Sequence, residues 1–187
     1  MAHIHTNHGD HDATASAYII VEDPNGGPAK ALMHRHKKLG LYLQFGGHIE
    51  LDETPWQTIA HELEEESGYS LDQFRVAQPL GRMPKLTPET TPHPLPMSYH
   101  THIFKPGNPH HHFHTDAGYL LVTDQEPAGN PDDDESEAIE AFTLEELQQL
   151  PKEDIYDNVR LQFTWGLQLV EKGNPHWELV PVSDFDL

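Results

Sequence analysis

A glycine pair followed by a short, strongly acidic segment constrains this chain more than any other feature. Gly46 and Gly47 predict a turn, and residues 61–69 then read His-Glu-Leu-Glu-Glu-Glu-Ser-Gly-Tyr. If that segment is helical, its carboxylates repel one another by about 0.2–0.5 kcal/mol for each i,i+4 pair. Two interpretations follow. The segment is a solvated acidic face, as most runs of charge are, or a site where a hard cation turns the repulsion into coordination.

Capping residues predict where this helix begins and ends. Thr54 suits the N-cap, Pro55 suits the first helical position and Gln57 falls at the third, so Thr54 and Gln57 form a capping box. Gly68 is placed for a left-handed stop at the C-terminus. The sequence therefore predicts a helix between Thr54 and Gly68.

Helical spacing sorts the carboxylates onto different faces. An apolar stripe recurs at helical spacing and consists of Trp56, Ile59, Ala60 and Leu63. At about 100° per residue, Glu62, Glu65 and Glu66 share the face beside this stripe, whereas Glu64 points elsewhere. A Mg²⁺ or Mn²⁺ ion would suit this group, because hard cations prefer carboxylate oxygens.

This segment resembles a known family motif. The stretch from Gly47 to Tyr69 is similar to the Nudix box, whose pattern is G-x5-E-x7-R-E-U-x-E-E-x-G-U, with U a bulky apolar residue. The positions that match at the required spacing are Gly47, Glu53, Glu62, Leu63, Glu65, Glu66 and Gly68. Tyr69 is a less typical final U. His61 stands where the family has arginine, and Phe45 stands where many members have a proline.

The resemblance implies the family's α/β fold, a Nudix-like α/β/α sandwich with a mixed β-sheet between helices. The flanks agree, since residues 17–21 are strand-like and residues 142–147 resemble a segment common after the last strand of that fold. A chain of 187 residues suits one substantial core. We therefore expect a flexible His-rich tail over residues 1–13 and a single Nudix-like hydrolase domain over residues 14–187.

Alternation and turn signals predict the remaining elements. The predicted strands cover residues 15–21, 29–35, 41–45, 74–80, 97–105, 114–123 and 138–142. A second capping box at residues 143–146 predicts a short helix, and an apolar stripe over residues 155–170 predicts a last one. Five prolines within residues 81–96 exclude regular structure there.

For function, the resemblance implies a divalent-metal-dependent hydrolase. Such an enzyme cleaves, with water, the diphosphate linkage of a nucleoside diphosphate that is joined to another moiety. The metal ligands implied are Glu62, Glu65 and Glu66, with Mg²⁺ or Mn²⁺ as the cofactor and the carbonyl of Gly46 assisting. Gly46 and Gly47 would form the loop that faces the substrate.

The departure at His61 bears on the arrangement of the loop. In the family the arginine orients the loop glutamate, which is Glu53 here, so the resemblance implies a hydrogen bond from His61 to Glu53. Histidine would supply a weaker and pH-dependent charge. The general base varies within the family, and Glu65, Glu135 and Glu137 stay open here, with Glu65 preferred. The catalytic set implied by the resemblance is Glu62, Glu65 and Glu137.

Net charge limits the partners. The chain carries 31 acidic and 11 basic residues, for a net charge of −20, which argues against nucleic acid. We expect a small-molecule nucleoside diphosphate derivative as the partner. No apolar run approaches the about 18–20 residues that a membrane span needs, and no signal-peptide pattern opens the sequence. Without cysteine, a cytoplasmic protein is expected. Members of the family are often dimers, which leaves a homodimer open.

Sixteen histidines raise the question of a second metal site, since imidazole suits Zn²⁺, Cu²⁺ and Ni²⁺. Four lie in the N-terminal tail, at positions 3, 5, 8 and 11, and others lie within residues 110–114. A solvated loop and an opportunistic tail are favoured instead, because no cysteine or glutamate stands at a structural zinc spacing. His112, His114 and Asp116 also lead into a strand that would line a substrate cleft.

Two other functions stay open. One is a catalytically weak Nudix-like module that binds a nucleotide as a sensor, and the other is a histidine-rich metal-buffering protein. The histidine at position 61 favours the sensor, whereas the complete set of box glutamates argues against it. Metal buffering needs no capped amphipathic helix. The substrate is chosen outside the box, and residues 81–96 and 109–114 are the segments expected to choose it.

Overall fold

The computed structural model describes residues 7–83, 87–104, 107, 111–131 and 136–185, without the side chains of residues 136 and 137. This part of the chain contains nine strands, three α-helices and two short 3₁₀ helices, Leu71–Gln73 and Val182–Asp184. The strands are β1 (His11–Val21), β2 (Lys30–His36), β3 (Tyr42–Leu43), β4 (Phe45–His48), β5 (Arg75–Pro79), β6 (Ser98–Phe104), β7 (His112–Thr123), β8 (Ser136–Phe142) and β9 (Trp177–Pro181). The helices are α1 (Pro55–Ser67), α2 (Leu144–Gln149) and α3 (Asp157–Lys172).

The strands form one mixed sheet with β1 at its centre. The order is β3-β2-β1-β7-β5-β9, while β4 pairs with β1, β6 with β7 and β8 with β2. The pairing of β1 with β7 is parallel and runs from His11 opposite Phe113 to Val21 opposite Thr123. The other edge of β1 is shared by two antiparallel partners, since residues 14–17 pair with β4 and residues 19–21 pair with β2.

Helices cover both faces of the sheet. Alternate residues of β1 belong to different cores, with Ala15 and Ile19 in the core beneath α1 and Tyr18 and Ile20 in the core beneath α3. The buried apolar residues that α1 contributes are Trp56, Ile59 and Leu63. Those that α2 and α3 contribute on the other face are Leu147, Val159, Phe163, Leu167 and Leu169. The predicted α/β/α sandwich with a mixed sheet is confirmed.

The first strand begins earlier than the sequence predicts. β1 starts at His11 rather than near residue 15, because the parallel ladder with β7 already includes His11 and Asp12. Just before it, the backbone N–H of Gly9 donates to the carbonyl of His111 at 3.1 Å. The tail predicted over residues 1–13 therefore overlaps β1 at its last three positions. Residues 1–6 lie outside the described part.

The last strand, β9, was not predicted. It pairs antiparallel with β5, from Arg75 opposite Pro181 to Pro79 opposite Trp177. Because proline has no N–H for the ladder, its place at the ends of these strands suits the edge of a sheet. A five-residue edge strand leaves little alternation to read in the sequence.

Side chains attach the proline-rich segment to the sheet near both of its ends, since Arg82 donates to Glu178 of β9 and Gln78 contacts Leu95. Among residues 81–83 and 87–96 there is neither strand nor helix, as predicted. The buried Gln78 of β5 donates from Nε2 to the carbonyl of Leu95 at 3.0 Å and accepts from the N–H of Leu95 at 2.9 Å. This side-chain amide makes the pair of hydrogen bonds that a neighbouring strand would make, and so fixes the end of the segment.

No helix among the described residues has the length and apolar character required to cross a membrane.

Candidate active site

Helix α1 is held in place by its caps and its apolar stripe. Thr54 Oγ1 accepts from the N–H of Gln57 at 3.3 Å, and Gln57 Oε1 accepts from the N–H of Thr54 at 2.9 Å. Gly68 ends the helix in the left-handed conformation, with φ of 72°. The capping box and the glycine stop are therefore confirmed. Since Trp56 and Leu63 are buried against the sheet, the rotation of the helix about its axis is fixed.

That rotation places the carboxylates at different depths. Glu62 and Glu66 are buried, whereas the side chain of Glu65 is 47% exposed and Glu64 is exposed. Burying an ionised carboxylate is costly unless opposite charge or hydrogen bonds offset it. Glu62 and Glu66 thus form the inner part of an acidic group, and Glu65 stands at its solvent side.

Glu66 joins the helix to the glycine turn. The backbone N–H of Gly46 donates to Glu66 Oε2 at 2.8 Å. Gly46 has φ of 129°, and a Cβ at this position would lie 2.1 Å from the carbonyl oxygen of Ala15. Glycine is therefore required here both by the backbone conformation and by the close approach to β1. Gly47 follows directly and pairs with Ala15 in the ladder.

His34 approaches the same carboxylate without adding charge. Its Nδ1 lies 4.0 Å from Glu66 Oε1. Burial lowers the pKa of His34 to about 4, and the nearby His36 acts in the same direction. At neutral pH the imidazole of His34 is therefore neutral, so this contact is not an ion pair. The negative charge of Glu66 is not neutralised by His34.

His61 connects two glutamates. Its Nε2 lies 2.7 Å from Glu65 Oε1, and its Nδ1 lies 3.3 Å from Glu53 Oε1. Glu53 Oε2 in turn accepts from the hydroxyl of Thr58 at 2.9 Å. The hydrogen bond with Glu65 raises the pKa of His61, against the effect of partial burial, and the negative charges of Glu65, Glu62 and Glu53 raise it further. The contact with Glu53 was expected from the resemblance, while the contact with Glu65 was not.

The comparison with known proteins settles the family. A model of the NUDIX domain matches residues 12–163, which is most of the chain. The chain belongs to the Nudix family. Among curated proteins, none matches this sequence significantly.

Solved structures of Nudix proteins share the fold. A Nudix hydrolase from Clostridium perfringens is 25% identical, with a TM-score of 0.61 over 85% of this chain and 97% of its own. A MutT Nudix hydrolase from Burkholderia pseudomallei is 20% identical, with a TM-score of 0.53 over 86% and 98%. An ADP-ribose pyrophosphatase from Streptococcus suis is 20% identical, with a TM-score of 0.50 over 89% and 96%.

The late-loop candidates for the general base are placed only in part. Glu135 lies outside the described residues. The backbone of Glu137 belongs to β8, which pairs with β2, but its side chain is outside the described part. Among the candidate catalytic and metal-binding carboxylates, the structure gives the side-chain positions of Glu53, Glu62, Glu65 and Glu66.

A row of polar side chains on β1 and β7 adjoins the glycine turn. Asp116 Oδ1 accepts from the hydroxyls of Thr14 at 2.8 Å and Ser16 at 2.7 Å, and Gln44 Nε2 donates to Ser16 Oγ at 3.1 Å. Burial raises the pKa of Asp116, and the two hydroxyl hydrogen bonds act against this. Ser16 pairs with Gly46 in the ladder, so the row reaches the turn.

Asp116 was predicted from the sequence, whereas Thr14 and Ser16 on β1 were not. A signal for them exists in the sequence, because aspartate, threonine and serine at positions 12, 14 and 16 alternate with alanines. Such alternation indicates a strand with one polar face. It was overlooked because β1 was predicted to begin only at residue 15.

Proposed function

We propose that this Nudix protein is a divalent-metal-dependent hydrolase that cleaves the diphosphate linkage of a nucleoside diphosphate joined to another group. The observation that carries the proposal is the hydrogen bond from Gly46 to Glu66. It fastens the carboxylate-bearing helix to the glycine turn, so that a site for a cation and a turn able to approach phosphate lie side by side. Hydrolysis of pyrophosphate bonds is the general activity of the family.

The residues at this site fit a hard cation. Glu62 and Glu66 are buried carboxylates one helical turn apart on the same face of α1. Glu65, which directly precedes Glu66, lies at the solvent side of this group. The neutral imidazole of His34 supplies no charge. We assign Glu62, Glu65 and Glu66 as the residues that would hold Mg²⁺ or Mn²⁺, because these ions prefer carboxylate oxygens. When bound, such an ion polarises a phosphoryl oxygen and lowers the pKa of a coordinated water.

The protein's own side chains contribute to catalysis mainly by positioning the catalytic carboxylates. His61 holds Glu65 and Glu53 in a fixed relation, and positioning supplies most of the catalysis in transfers to or from phosphorus. Glu65 is the preferred general base, because it is accessible to water and is oriented by His61. Glu137 is kept as the alternative base.

The polar row lies beside the turn but faces away from α1. Thr14 and Ser16 alternate with Ala15, which packs beneath α1, so their side chains and that of Asp116 point to the opposite face of the sheet and are not assigned to the phosphate site. The buried carboxylate of Asp116 suits an N–H or hydroxyl donor. The net charge of −20 supports a small-molecule partner over nucleic acid.

The test is a metal-dependent screen of substrates. The panel contains a dinucleoside polyphosphate, a nucleotide sugar, an oxidised nucleoside triphosphate and ADP-ribose, the last because of the activity of the Streptococcus suis structure. Release of nucleoside monophosphate or phosphate is measured with Mg²⁺ and with EDTA. We expect release only with Mg²⁺, and a loss of about 10²–10⁴-fold in kcat for Glu65→Gln if Glu65 is the base.

The matched control is Glu64→Gln, which removes an equal charge from the exposed side of the same helix. It is expected to leave kcat unchanged. If the folded protein binds members of the panel but releases nothing from any of them, the enzyme is excluded and the sensor module is the better description. Equal losses for Glu64→Gln and Glu65→Gln would overturn the assignment of the site.

A further inference from the structure

A second group of metal-binding side chains lies at the other end of the polar row. His112 Nε2 and His114 Nε2 are 3.0 Å apart, and Asp12 Oδ2 lies 3.7 Å from His112 Nε2. The same Asp12 oxygen lies 3.7 Å from His48 Nε2. We propose that Asp12, His112 and His114 form a site for a borderline divalent transition-metal ion, with His48 as the candidate fourth ligand and Zn²⁺ as the ion that fits best.

The sheet brings these four residues together from distant parts of the sequence. In the parallel ladder Asp12 is directly opposite His114, and in the antiparallel ladder Thr14 is opposite His48. His112 and His114 are two residues apart on β7, so their side chains share one face of the sheet. The donor atoms of Asp12, His112 and His114 all lie within 4.8 Å of one another.

The distances suit tetrahedral coordination. With metal–ligand bonds of about 2.0–2.1 Å, neighbouring donor atoms around tetrahedral zinc are separated by about 3.4 Å. The separations of 3.0 Å and 3.7 Å lie on either side of that value. Adjustments of a few tenths of an ångström would therefore suffice for these pairs of atoms. His48 lies outside the group of three whose donor atoms are within 4.8 Å of one another, so it would have to move further to become the fourth ligand. Three Nε2 atoms and one carboxylate oxygen would then form a donor set common for zinc.

Burial separates this group from ordinary surface histidines. The exposed fractions of Asp12, His112 and His114 are 1%, 4% and 9%. The solvated loop favoured by the sequence is therefore wrong for His112 and His114, which lie in a strand inside the protein. Burial of an ionised carboxylate carries a desolvation cost, and coordination of a divalent cation would offset it.

An aromatic side chain encloses the group. Phe104 of β6 stacks on the ring of His114, with centroids 4.8 Å apart and planes inclined by 11°, and its centroid lies 5.0 Å from that of His112. His102 lies on the same side, with its ring centroid 5.3 Å from that of His114. Phe104 thus places apolar surface against the rings of His112 and His114, and such surroundings tune the affinity of metal sites.

The two proposed metal sites of this protein therefore differ in the ion that they suit. The glutamates of α1 offer only hard oxygen ligands, which favour Mg²⁺ or Mn²⁺, whereas imidazole nitrogens favour Zn²⁺ and its neighbours. With His48 as the fourth protein ligand no position is left open for a substrate, and the proposed ion then has a structural role. It would tie β1, β4 and β7 together at their ends.

The experiment uses the full-length chain with the substitutions His3→Ala, His5→Ala and His8→Ala, because histidines of the tail bind metal opportunistically. This background protein is loaded with Zn²⁺, desalted and analysed for metal content, and Co²⁺ is substituted to record its visible absorption. We expect one Zn²⁺ per chain that excess Mg²⁺ does not displace, and the intense absorption of tetrahedral Co²⁺. Thermal melting is expected at a higher temperature with Zn²⁺ than with EDTA.

Substitutions identify the ligands. His112→Asn and Asp12→Asn are each expected to lower Zn²⁺ affinity by more than the about 10- to 100-fold that the loss of a supporting partner causes. His176→Asn, at an exposed position before β9, is the matched control and is expected to bind Zn²⁺ as the background protein does. Circular dichroism establishes that each variant is folded.

Several outcomes would overturn the proposal. They are a background protein that retains no Zn²⁺, a Co²⁺ spectrum of octahedral type, or an affinity unchanged by His112→Asn. Loss of Zn²⁺ in Glu62→Gln would place the ion on α1 instead. If the variants at Asp12 and His112 fail to fold, the metal content and Co²⁺ spectrum of the background protein decide alone. None of these readouts depends on hydrolytic activity.

Discussion

His61 Nε2 lies 2.7 Å from Glu65 Oε1, one helical turn further along α1. The other nitrogen of the ring lies 3.3 Å from Glu53 Oε1, so one imidazole spans two carboxylates that come from the loop and from the helix. The arginine found in the family has a planar fork of donors that can serve two acceptors in a similar way. In this protein the shorter side chain of His61 makes the link between Glu53 and Glu65.

Removing this bridge is expected to slow turnover. For His61→Ala we expect kcat to fall by about 10- to 100-fold, because small misplacements of catalytic groups cost rates of that order. His61→Arg should retain or raise kcat, since it restores a double donor with a permanent charge. Steady-state kinetics with the substrate found by the screen measures both. Equal kcat values for His61→Ala and the parent would show that the bridge has no catalytic role.

Glu66 accepts the hydrogen bond from Gly46 and is a proposed metal ligand, and two variants can separate these roles. Glu66→Gln keeps an oxygen that can accept from Gly46 but removes the charge, so we expect Mg²⁺ affinity to fall while the free energy of unfolding in EDTA changes by less than about 1 kcal/mol. Glu66→Ala also loses the hydrogen bond and leaves a buried donor, which costs about 1–3 kcal/mol. Urea denaturation and Mg²⁺ titration check the two effects. Equal unfolding free energies in the two variants would contradict the role of the hydrogen bond.

Gly46 cannot be replaced without damage to the sheet. Gly46→Ala combines a left-handed backbone with a Cβ 2.1 Å from the carbonyl of Ala15, and we expect a loss of about 3 kcal/mol or more. Gly26→Ala is the control, because Gly26 also has positive φ but open space around it, and about 1–2 kcal/mol is expected. The unfolding free energies measure both. A smaller loss at Gly46 than at Gly26 would refute the close contact.

The apolar face of α1 is expected to dominate its stability. Leu63 is fully buried, and Leu63→Ala should cost about 2–5 kcal/mol. Leu161 of α3 is 68% exposed, and Leu161→Ala is expected to change stability by no more than about 0.5 kcal/mol. Thermal and urea denaturation of the two variants provide the comparison, and similar losses would contradict the packing of α1.

One pH dependence follows from the cap of α2. Hydrogen bonds from the backbone N–H and hydroxyl of Thr143 lower the pKa of Glu146. The folded state therefore favours the ionised form, and this contribution is present above the unfolded pKa and lost as pH falls through the folded pKa. We expect Glu146→Gln to lose less stability than the parent between about pH 6 and about pH 3. Glu145→Gln is the control, and an unchanged acid limb in Glu146→Gln would contradict the expectation.

Local signals carried most of what the sequence could predict. The limits of α1 were available because Thr54, Gln57 and Gly68 satisfy the backbone within one or two turns of themselves. The acidic face followed from the same periodicity, since a helix with fixed ends and a buried stripe has one rotation. Helical spacing predicted that Glu64 points away from Glu62 and Glu66, and Glu64 is exposed where those two are buried. Glu65, which was predicted to share their face, is exposed as well.

Long-range neighbours could not be predicted in the same way. Asp12 and His114 are opposite each other only because β1 and β7 pair in parallel, and no turn joins the two strands to set their register. The approach of His48 depends on a further ladder. The burial of His112 and His114 depends on Phe104, which belongs to a third strand.

The parallel pairing of β1 and β7 also determines when the central pair of strands in the sheet can form. Ser16 and Asp116 are neighbours across this ladder although 100 positions separate them in the chain. At synthesis rates of about 5–20 residues per second, the ribosome reaches β7 about 5–20 s after β1. Until then the central, apolar strand has one open edge, and such edges invite association with other nascent chains. We therefore expect chaperone availability to limit the yield of this protein in cells.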